Sequence, residues 1–371
     1  MSVPIFRIQH LLAVFVLSTG LVNHVIIIPL LLNASGRDAW LSILLTTGPV
    51  LLWLAVLIFI VKKTEQKKLF EWLEEKYGKV VAYIVTAPFL IYVAACFFIT
   101  FKDTITWIDS SYLLLTPNIV VSIIFLLMVL IMANSGLQSI IYVSVILLPL
   151  VSAFGFFVAT GNIPEKDHSL LFPLFEFGWS PIFQGMVYVW GGLFEMIFIL
   201  FVQHRVKGKI KFMHLFFLAL ILLGLTLGPT IGAITEFGPY DAMKQRYPAF
   251  EQWRLLTIGQ YIEHLDVLSF FQWMSGAFIR LTFLLFVMVE FFTNEKHRYR
   301  FRLLAGVVGF FIAINFIPLS DNTFFQFMMN AYYPSIVIFS CFVTILLLVL
   351  IFVRSRNRKG DKSEQSQNKA F

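Results

Sequence analysis

The sequence predicts an all-α polytopic membrane protein of ten transmembrane helices, arranged as two inverted five-helix repeats. Three observations lead to this fold class. Hydrophobic residues make up 59% of the 371 residues, and charged residues make up only 13%. Ten apolar stretches have lengths suited to crossing a bilayer, which needs about 17 to 25 residues or more when a helix is tilted, and lipid offers no partner to a free backbone N–H or C=O group. The first and sixth stretches are both interrupted near their middle by small and polar residues.

The ten predicted spans follow the apolar runs in chain order. They cover residues 10–32, 40–61, 80–108, 117–134, 138–160, 182–203, 212–235, 267–292, 303–319 and 331–353. Spans one to five form a first repeat within residues 1–160, and spans six to ten form a second repeat within residues 161–353. The tail at 354–371 begins basic and then turns polar without apolar periodicity, so we expect it to be disordered and cytoplasmic.

The basic residues set the predicted orientation. Ten spans place both termini on the same side of the membrane. Of the 28 Lys and Arg residues, 21 lie on that side: before span one, in the tail or in the gaps between spans that face it. Five lie in gaps on the other side, and only Lys102 and Arg280 fall within spans. Cytoplasmic segments retain basic residues, so both termini are predicted to be cytoplasmic. This sorting explains the net charge of +7, and we expect no nucleic-acid partner.

The segment between spans two and three is predicted to be a helix that lies flat at the cytoplasmic interface. Within residues 64–79, a group of apolar side chains shares one broad side against charged neighbours. These side chains are Leu69, Phe70, Trp72, Leu73 and Tyr77. A solvated connector is the alternative interpretation. The basic start of the tail adds a second expected contact with anionic membrane lipid.

The interruptions in spans one and six predict a ligand site at the membrane midplane. Span one carries Ser18, Thr19, Gly20, Asn23, His24 and Pro29 in an otherwise apolar run. Span six carries Gly191 and Gly192 at its centre, with Glu195 one turn further on. Breaks at matching positions of two halves are typical of inverted-repeat transporters, in which unwound backbone binds the substrate. The alternative is that these glycines serve only close helix packing.

Arg280 lies near the centre of span eight, where an unpaired Arg costs about 2.5 to 3.5 kcal/mol. We therefore expect it to face the bundle interior and a carboxylate, with Glu195 as the first choice of partner and Asp103 as the second. A structural salt bridge and a direct contact with substrate both remain open. His24 is either a group that couples protons or a histidine hydrogen-bonded within the bundle.

No other chemical centre is predicted. Cys96 and Cys341 lie in apolar spans far apart in the sequence, so we expect buried thiols and no disulfide. The sequence has no metal-ligand spacing and no Gly-rich phosphate loop, so we expect neither a metal nor a cofactor. Glu263, His264 and Asp266 have no accompanying nucleophile, and we expect the protein not to be an enzyme.

Residues 234–280 carry a combination of short motifs. These are Glu236-Phe237-Gly238-Pro239; Arg246-Tyr247-Pro248 with Phe250-Glu251 and Trp253-Arg254; and Glu263-His264-Leu265-Asp266 followed by Gln272-Trp273 and Ser275-Gly276. With them, the sequence resembles the endospore germination permease family, the B subunits of GerA-type nutrient germinant receptors, within the amino acid/polyamine/organocation superfamily. The span count, the amphipathic connector and the basic tail extend the resemblance over the whole chain.

This resemblance implies a LeuT-like bundle in the spore inner membrane. It implies that the protein senses a small germinant, an amino acid in most relatives, together with an A-type subunit and a lipoprotein C-type subunit. It also implies a pocket lined by spans one, three, six and eight. On this sequence those positions are Thr19, Gly20 and Asn23; Cys96 and Thr100; Trp190, Gly191, Gly192 and Glu195; and Ser275. A free-standing secondary amino acid transporter is the alternative function.

The outer loop at 236–257 mixes aromatic, acidic and basic side chains. Its two prolines, Pro239 and Pro248, fix turns within it. The loop is predicted to be either a lid over the pocket or a folded plug that serves stability alone.

Overall fold

The computed structural model describes residues 6–259, 264–291, 293 and 298–367, with side chains described as far as Val353. The described chain is almost entirely helical. Its two short strands, β1 (Phe6–Arg7) and β2 (Val206–Lys207), pair in parallel with Phe6 opposite Val206. This pairing ties the start of the chain to the segment that follows predicted span six.

The helices follow the predicted spans closely. In the described residues they are α1 (Ile8–Leu21), α2 (Ile27–Ser35), α3 (Ala39–Lys63), α4 (Leu69–Tyr77), α5 (Lys79–Ser111), α6 (Asn118–Asn134), α7 (Leu137–Gly161), α8 (Trp179–Phe194), α9 (Ile199–Val202), α10 (Phe212–Phe237), α11 (Pro239–Ala242), α12 (Pro248–Leu255), α13 (Val267–Glu290), α14 (Arg300–Asn315), α15 (Asp321–Phe327) and α16 (Tyr333–Gln367). Short 3₁₀ turns lie at Gly36–Asp38, Ile163–Glu165, His168–Leu171, Glu195–Phe198 and Gln203–Arg205, and π-helical turns lie at Val22–Ile26 and Met328–Tyr332.

Seven helical stretches of the described residues are long and apolar enough to cross a membrane. They are Ile8–Lys63, Lys79–Ser111, Leu137–Gly161, Trp179–Arg205, Phe212–Phe237, Val267–Glu290 and Asp321–Val353. The first of these is 56 residues long and contains both predicted spans one and two. The chain is therefore an all-α polytopic membrane protein. The helix α16 continues to Gln367, into the 354–371 tail for which we expected disorder.

Two helical stretches lie at the centre of the bundle. In the most apolar part of Trp179–Arg205 and of Val267–Glu290, 83% of the residues are buried, compared with 17% for Leu137–Gly161. The helix α13 packs against α1, α5, α6 and α7, and α8 packs against α2, α3 and α16. Predicted spans one, three, six and eight therefore lie side by side in the interior.

Two prolines explain where the π-helical turns lie. Proline has no N–H, so Pro29 leaves the carbonyl of Val25 without its usual helical partner, and Pro334 does the same for Asn330. Val25 and Asn330 each lie within one of the two π-helical turns. A proline alone is not sufficient, because α3, α5, α7 and α10 each contain one and remain α-helical. The backbone of span one thus changes its hydrogen bonding and does not unwind, which corrects our expectation.

Gly185 allows α8 to approach α2 and α3 closely. A Cβ atom at this position would lie 2.5 Å from Ser42 Oγ and 2.8 Å from Leu31 Cδ1. We expect Gly185→Ala to lower the free energy of unfolding by about 1–3 kcal/mol, because overpacking forces neighbouring side chains to shift. Thermal unfolding in detergent measures this. Gly228→Ala is the matched control, since no atom lies within 4 Å of its Cβ position. Equal unfolding temperatures for both variants would contradict the packing argument.

Candidate functional site

A buried ion pair joins predicted spans six and eight. Arg280 Nη2 donates to Glu195 Oε1 at 2.6 Å, and Arg280 Nη1 donates to Glu195 Oε2. Both side chains are at most 3% exposed. A buried pair of this kind is tolerated only when the geometry is good and the remaining donors also find partners. The structure thus places the first-choice partner against Arg280.

The other donors of Arg280 reach spans one and three. Its Nε donates to Thr100 Oγ1 at 2.6 Å, and its Nη1 donates to the Ser18 carbonyl at 3.3 Å. Thr100 donates in turn to the Cys96 carbonyl at 2.9 Å. The Ser18 carbonyl is available because the N–H of Val22 bonds the Thr19 carbonyl, one residue further on. One guanidinium therefore cross-links α1, α5, α13 and the end of α8.

The π-helical turn of span one lies against the glycine pair of span six. Asn23 Nδ2 donates to the Thr19 carbonyl at 2.9 Å, and Thr226 Oγ1 donates to Asn23 Oδ1 at 3.3 Å. A Cβ atom on Gly192 would lie 2.7 Å from Asn23 Oδ1, so this close approach requires glycine. Thr226 lies on α10 and is a contact that the sequence analysis missed.

Span six is interrupted at Glu195, where a 3₁₀ turn separates α8 from α9. The tighter i to i+3 hydrogen bonding of this turn changes the direction of the side chains that follow the glycine pair. The turn contacts α1. The interruption of span one is thus a change of helix type, whereas Gly191 and Gly192 lie within α8 and the change in span six begins after them, at Glu195.

Two tyrosines of the last helical stretch contact the predicted site residues Cys96 and Gly191, and the sequence analysis missed them. Tyr332 donates to Cys96 Sγ at 3.3 Å. The Tyr333 ring lies where a side chain on Gly191 would otherwise be, 2.5 Å from its Cβ position. The available signal was Pro334, which follows both tyrosines and predicts a local change in the helix.

Three predicted site residues lie apart from this cluster. Trp190 Nε1 donates to a hydroxyl of α16 at 2.9 Å, and the Cβ position of Gly20 lies 3.1 Å from Leu225 of α10. Ser275 is five residues before Arg280, which places it about 140° away around the helix. The structure brings together Thr19, Asn23, Cys96, Thr100, Gly191, Gly192, Glu195 and Arg280, which we call the central cluster.

The central cluster is closed in this conformation. Asn23, Cys96 and Thr100 are fully buried, and Glu195 is 2% exposed. Each polar group described above is hydrogen-bonded to another part of the chain. A ligand therefore needs a movement of the surrounding helices to reach Arg280.

Asp103, the second candidate partner of Arg280, pairs with Arg246 instead. Arg246 Nη2 lies 2.5 Å from Asp103 Oδ1, and its Nε lies 3.1 Å from Asp321 Oδ2. Burial alone would lower the pKa of Arg246, but Asp103, Tyr247 and Asp321 raise it above its usual range, so the guanidinium stays charged. The outer loop is thereby tied to α5 and α15.

Glu290, at the opposite end of α13, holds three basic groups that the sequence analysis had counted as loop charges. Its carboxylate lies 3.1 Å from Arg205 Nη2 and 3.0 Å from Arg300 Nη1. Its carbonyl accepts from Lys68 Nζ at 2.7 Å, and burial lowers the pKa of that ammonium group. All three basic residues lie in gaps between apolar runs, so their positions in the sequence did not show that they are bonded to Glu290 and not solvated.

The remaining predicted residues fall into simpler positions. His24 Nδ1 lies 3.3 Å from the Leu225 carbonyl, which agrees with a histidine bonded within the bundle. Cys341 is exposed and not buried as expected, because an apolar residue on the outside of α16 can face lipid. Glu263 lies outside the described residues. His264 is exposed, while Asp266 is partly buried at the start of α13.

The outer loop at 236–257 is folded onto the bundle through its helix α12. Gln252 Nε2 donates to the Pro229 carbonyl at 2.8 Å, and Asn162 Nδ2 donates to the Gln252 carbonyl at 2.7 Å. Trp253 Nε1 donates to Gln272 Oε1 at 3.2 Å. These contacts fit both a lid and a plug. The connector helix α4 likewise buries part of its apolar side against α5.

The chain matches known proteins over almost its whole length. A family model described as "Spore germination protein" matches residues 2–324. A curated protein of Bacillus anthracis, named spore germination protein XB, is 41% identical over 342 residues. This alignment covers 92% of the present chain and 96% of that relative.

The Arg280–Glu195 pair allows a double-mutant test. Arg280→Met leaves the Glu195 carboxylate buried without its partner, so we expect stability to fall by about 3–5 kcal/mol. The double variant Arg280→Met/Glu195→Leu buries no charge, and we expect it to recover a large part of that loss. Thermal unfolding of the single and double variants in detergent provides the comparison. A double variant no more stable than Arg280→Met would show that the pair is not coupled.

Proposed function

Because this chain belongs to the spore germination permease family, we propose that it is the integral-membrane subunit of a spore nutrient germinant receptor. In this proposal it binds a small germinant, an amino acid, at the central cluster. It then signals germination together with an A-type subunit and a lipoprotein C-type subunit. The observation that carries the proposal is the buried Arg280–Glu195 pair, set between two interrupted helices.

We also propose that the chain crosses the membrane ten times, as a LeuT-like pair of inverted repeats. The stretch Ile8–Lys63 would cross twice, with its reversal at the 3₁₀ turn Gly36–Asp38. The shorter helices α6 and α14 would each cross once, in addition to the other six long stretches. Five crossings in each half make the second half enter from the opposite side, as inverted repeats require.

The charges of an amino acid match those of the central cluster. The ligand carboxylate would take the place of Glu195 on the planar guanidinium of Arg280, which binds carboxylates in bidentate geometry. The ligand ammonium group would then form an ion pair with the freed Glu195 carboxylate. This exchange leaves no charge buried alone, which is the condition that a low-dielectric interior imposes.

Three of the turns that depart from α-helical geometry indicate where the bundle would move. They lie in span one, at Glu195 and just before Tyr333, and all three border the central cluster. Such turns are frequent at functional sites and hinges. A ligand can shift this equilibrium only by the difference between its affinities for the two states. In the proposed receptor, the resulting movement passes to the partner subunits.

The proposed location is the spore inner membrane, with both termini in the cytoplasm. The sorting of Lys and Arg residues supports this orientation. The Glu290 cluster and α4 would then lie on the cytoplasmic side, and the outer loop would face away from it. A free-standing transporter would share this arrangement, so function has to be separated from topology by experiment.

Binding to the purified protein tests the proposed ligand class. We expect at least one of the twenty common L-amino acids to raise the thermal unfolding temperature. Thr100→Val removes the hydroxyl that accepts from Arg280, and we expect it to weaken that binding about tenfold or more, since an unpaired buried donor costs about 1–3 kcal/mol. Cys341→Ala, on the exposed side of α16, serves as the control and should bind normally. The absence of any stabilising amino acid would overturn the proposed ligand class.

A deletion strain separates the receptor from the transporter. We expect spores without this chain to lose germination in response to the amino acid that binds it, in a strain without a redundant paralogue. Proteoliposomes that contain the protein alone should not accumulate that labelled amino acid. Accumulation without partner subunits, together with normal germination of the deletion strain, would favour the transporter.

A further inference from the structure

A cavity of about 780 Å³ lies at the end of α5 that is remote from α4. We call it the outer vestibule. Its lining includes Ser110 of α5, Arg246, Tyr247 and Arg254 of the outer loop, Asp266 at the start of α13, and Asp321 of α15. Both signs of charge are therefore present on its walls, and neither sign dominates.

Two residues that line the outer vestibule, and Asp103 next to them, carry buried polar atoms without partners. Within the described part of the chain, Arg246 Nη1, Tyr247 Oη and Asp103 Oδ2 are buried and make no hydrogen bond. Burial and the nearby Asp103 raise the pKa of Tyr247, so its hydroxyl stays protonated and able to donate. Buried polar groups in native proteins almost always have a partner. The donors on Arg246 and Tyr247 thus indicate a place where a polar ligand completes the site once the lining side chains move to expose them.

The walls of the outer vestibule supply a negative charge for the ammonium group of a ligand. Arg254 is paired with Glu251 at 3.0 Å, and Asp321 is paired with Arg246. Asp266 lines the cavity, and its carboxylate makes no ion pair with any other described residue. Among the described residues, the lining of the outer vestibule therefore combines buried, unpaired donors on Arg246 and Tyr247 with an Asp266 carboxylate that makes no ion pair.

We propose that the outer vestibule is a second binding site for a zwitterionic amino acid, which the ligand occupies before it reaches the central cluster. Arg246 Nη1 and the Tyr247 hydroxyl would bind the carboxylate, and Asp266 would bind the ammonium group. This inference rests on the proposed function, because it assigns the same class of ligand to a new site. The cavity is larger than a small amino acid, so bridging waters complete the contacts.

The position of Asp103 connects the two sites. Asp103 follows Thr100 by three residues on α5, which is about 4.5 Å along the helix axis. Arg246 bonds Asp103, while Arg280 bonds Thr100. A carboxylate that binds Arg246 competes with Asp103 for it and loosens the contact that ties the outer loop to α5. Occupation of the outer vestibule would therefore precede and favour opening.

Cysteine protection reports on the outer vestibule alone. The test uses the full chain in detergent, with Ser110→Cys introduced into a Cys341→Ala background, since Cys96 is buried and Cys341 is exposed. We expect the stabilising members of the panel of twenty L-amino acids to slow modification of this cysteine by a charged maleimide. Asp266→Asn and Arg246→Lys should raise the amino acid concentration needed for protection about tenfold. Lys244→Ala, an exposed change in the same loop, is the matched control and should leave protection unchanged.

The outcomes separate this inference from the proposed function. Thr100→Val should raise the amino acid concentration needed for the thermal shift and leave the concentration needed for protection of the cysteine unchanged, which would support two sites. A thermal shift without any protection would overturn the second site and leave the proposed function intact. Neither shift nor protection with any amino acid would overturn both. Protection that is equal in Asp266→Asn, Arg246→Lys and Lys244→Ala, all monodisperse on gel filtration, would also overturn the second site.

Discussion

An arginine at the centre of a membrane-spanning bundle is stable only when its charge and its N–H donors all have partners, and this requirement organises the interior of the protein. Glu195 supplies the opposite charge, the Thr100 hydroxyl accepts a hydrogen bond from Nε, and the Ser18 carbonyl accepts one from Nη1. That carbonyl is available because the N–H of Val22 bonds a different residue at the edge of the π-helical turn. The interruption of span one and the burial of Arg280 are thus two aspects of one arrangement.

Charged clusters also lie toward both ends of the helical bundle. Arg246 ties the outer loop to α5 and α15 at one end, and Glu290 ties α4, α13 and α14 together at the other. A movement that opens either end has to break the cluster at that end. Because removing one member of a buried pair costs several kcal/mol, about 3–5, opening both ends at once is disfavoured. The three layers of charge therefore suit a bundle that opens on one side at a time.

The sequence was informative wherever a physical requirement has few solutions. Helix positions followed from apolar length, and the partner of Arg280 followed because Glu195 and Asp103 are carboxylates within the spans. The rotation of each helix about its axis is not encoded so simply, so the contacts of Trp190 with α16 and of Gly20 with α10 did not follow from the sequence. Contacts such as Tyr333 on Gly191 depend on how distant helices pack.

Asn23 shows why the closed cluster suits a reversible sensor. Its amide donates to the Thr19 carbonyl and accepts from Thr226, so the chain itself makes the hydrogen bonds that a ligand would offer. Binding in the proposed mechanism then replaces internal partners and adds few new ones. The free energy of such an exchange is a small difference between similar contacts, so modest changes in ligand concentration can move the equilibrium in both directions.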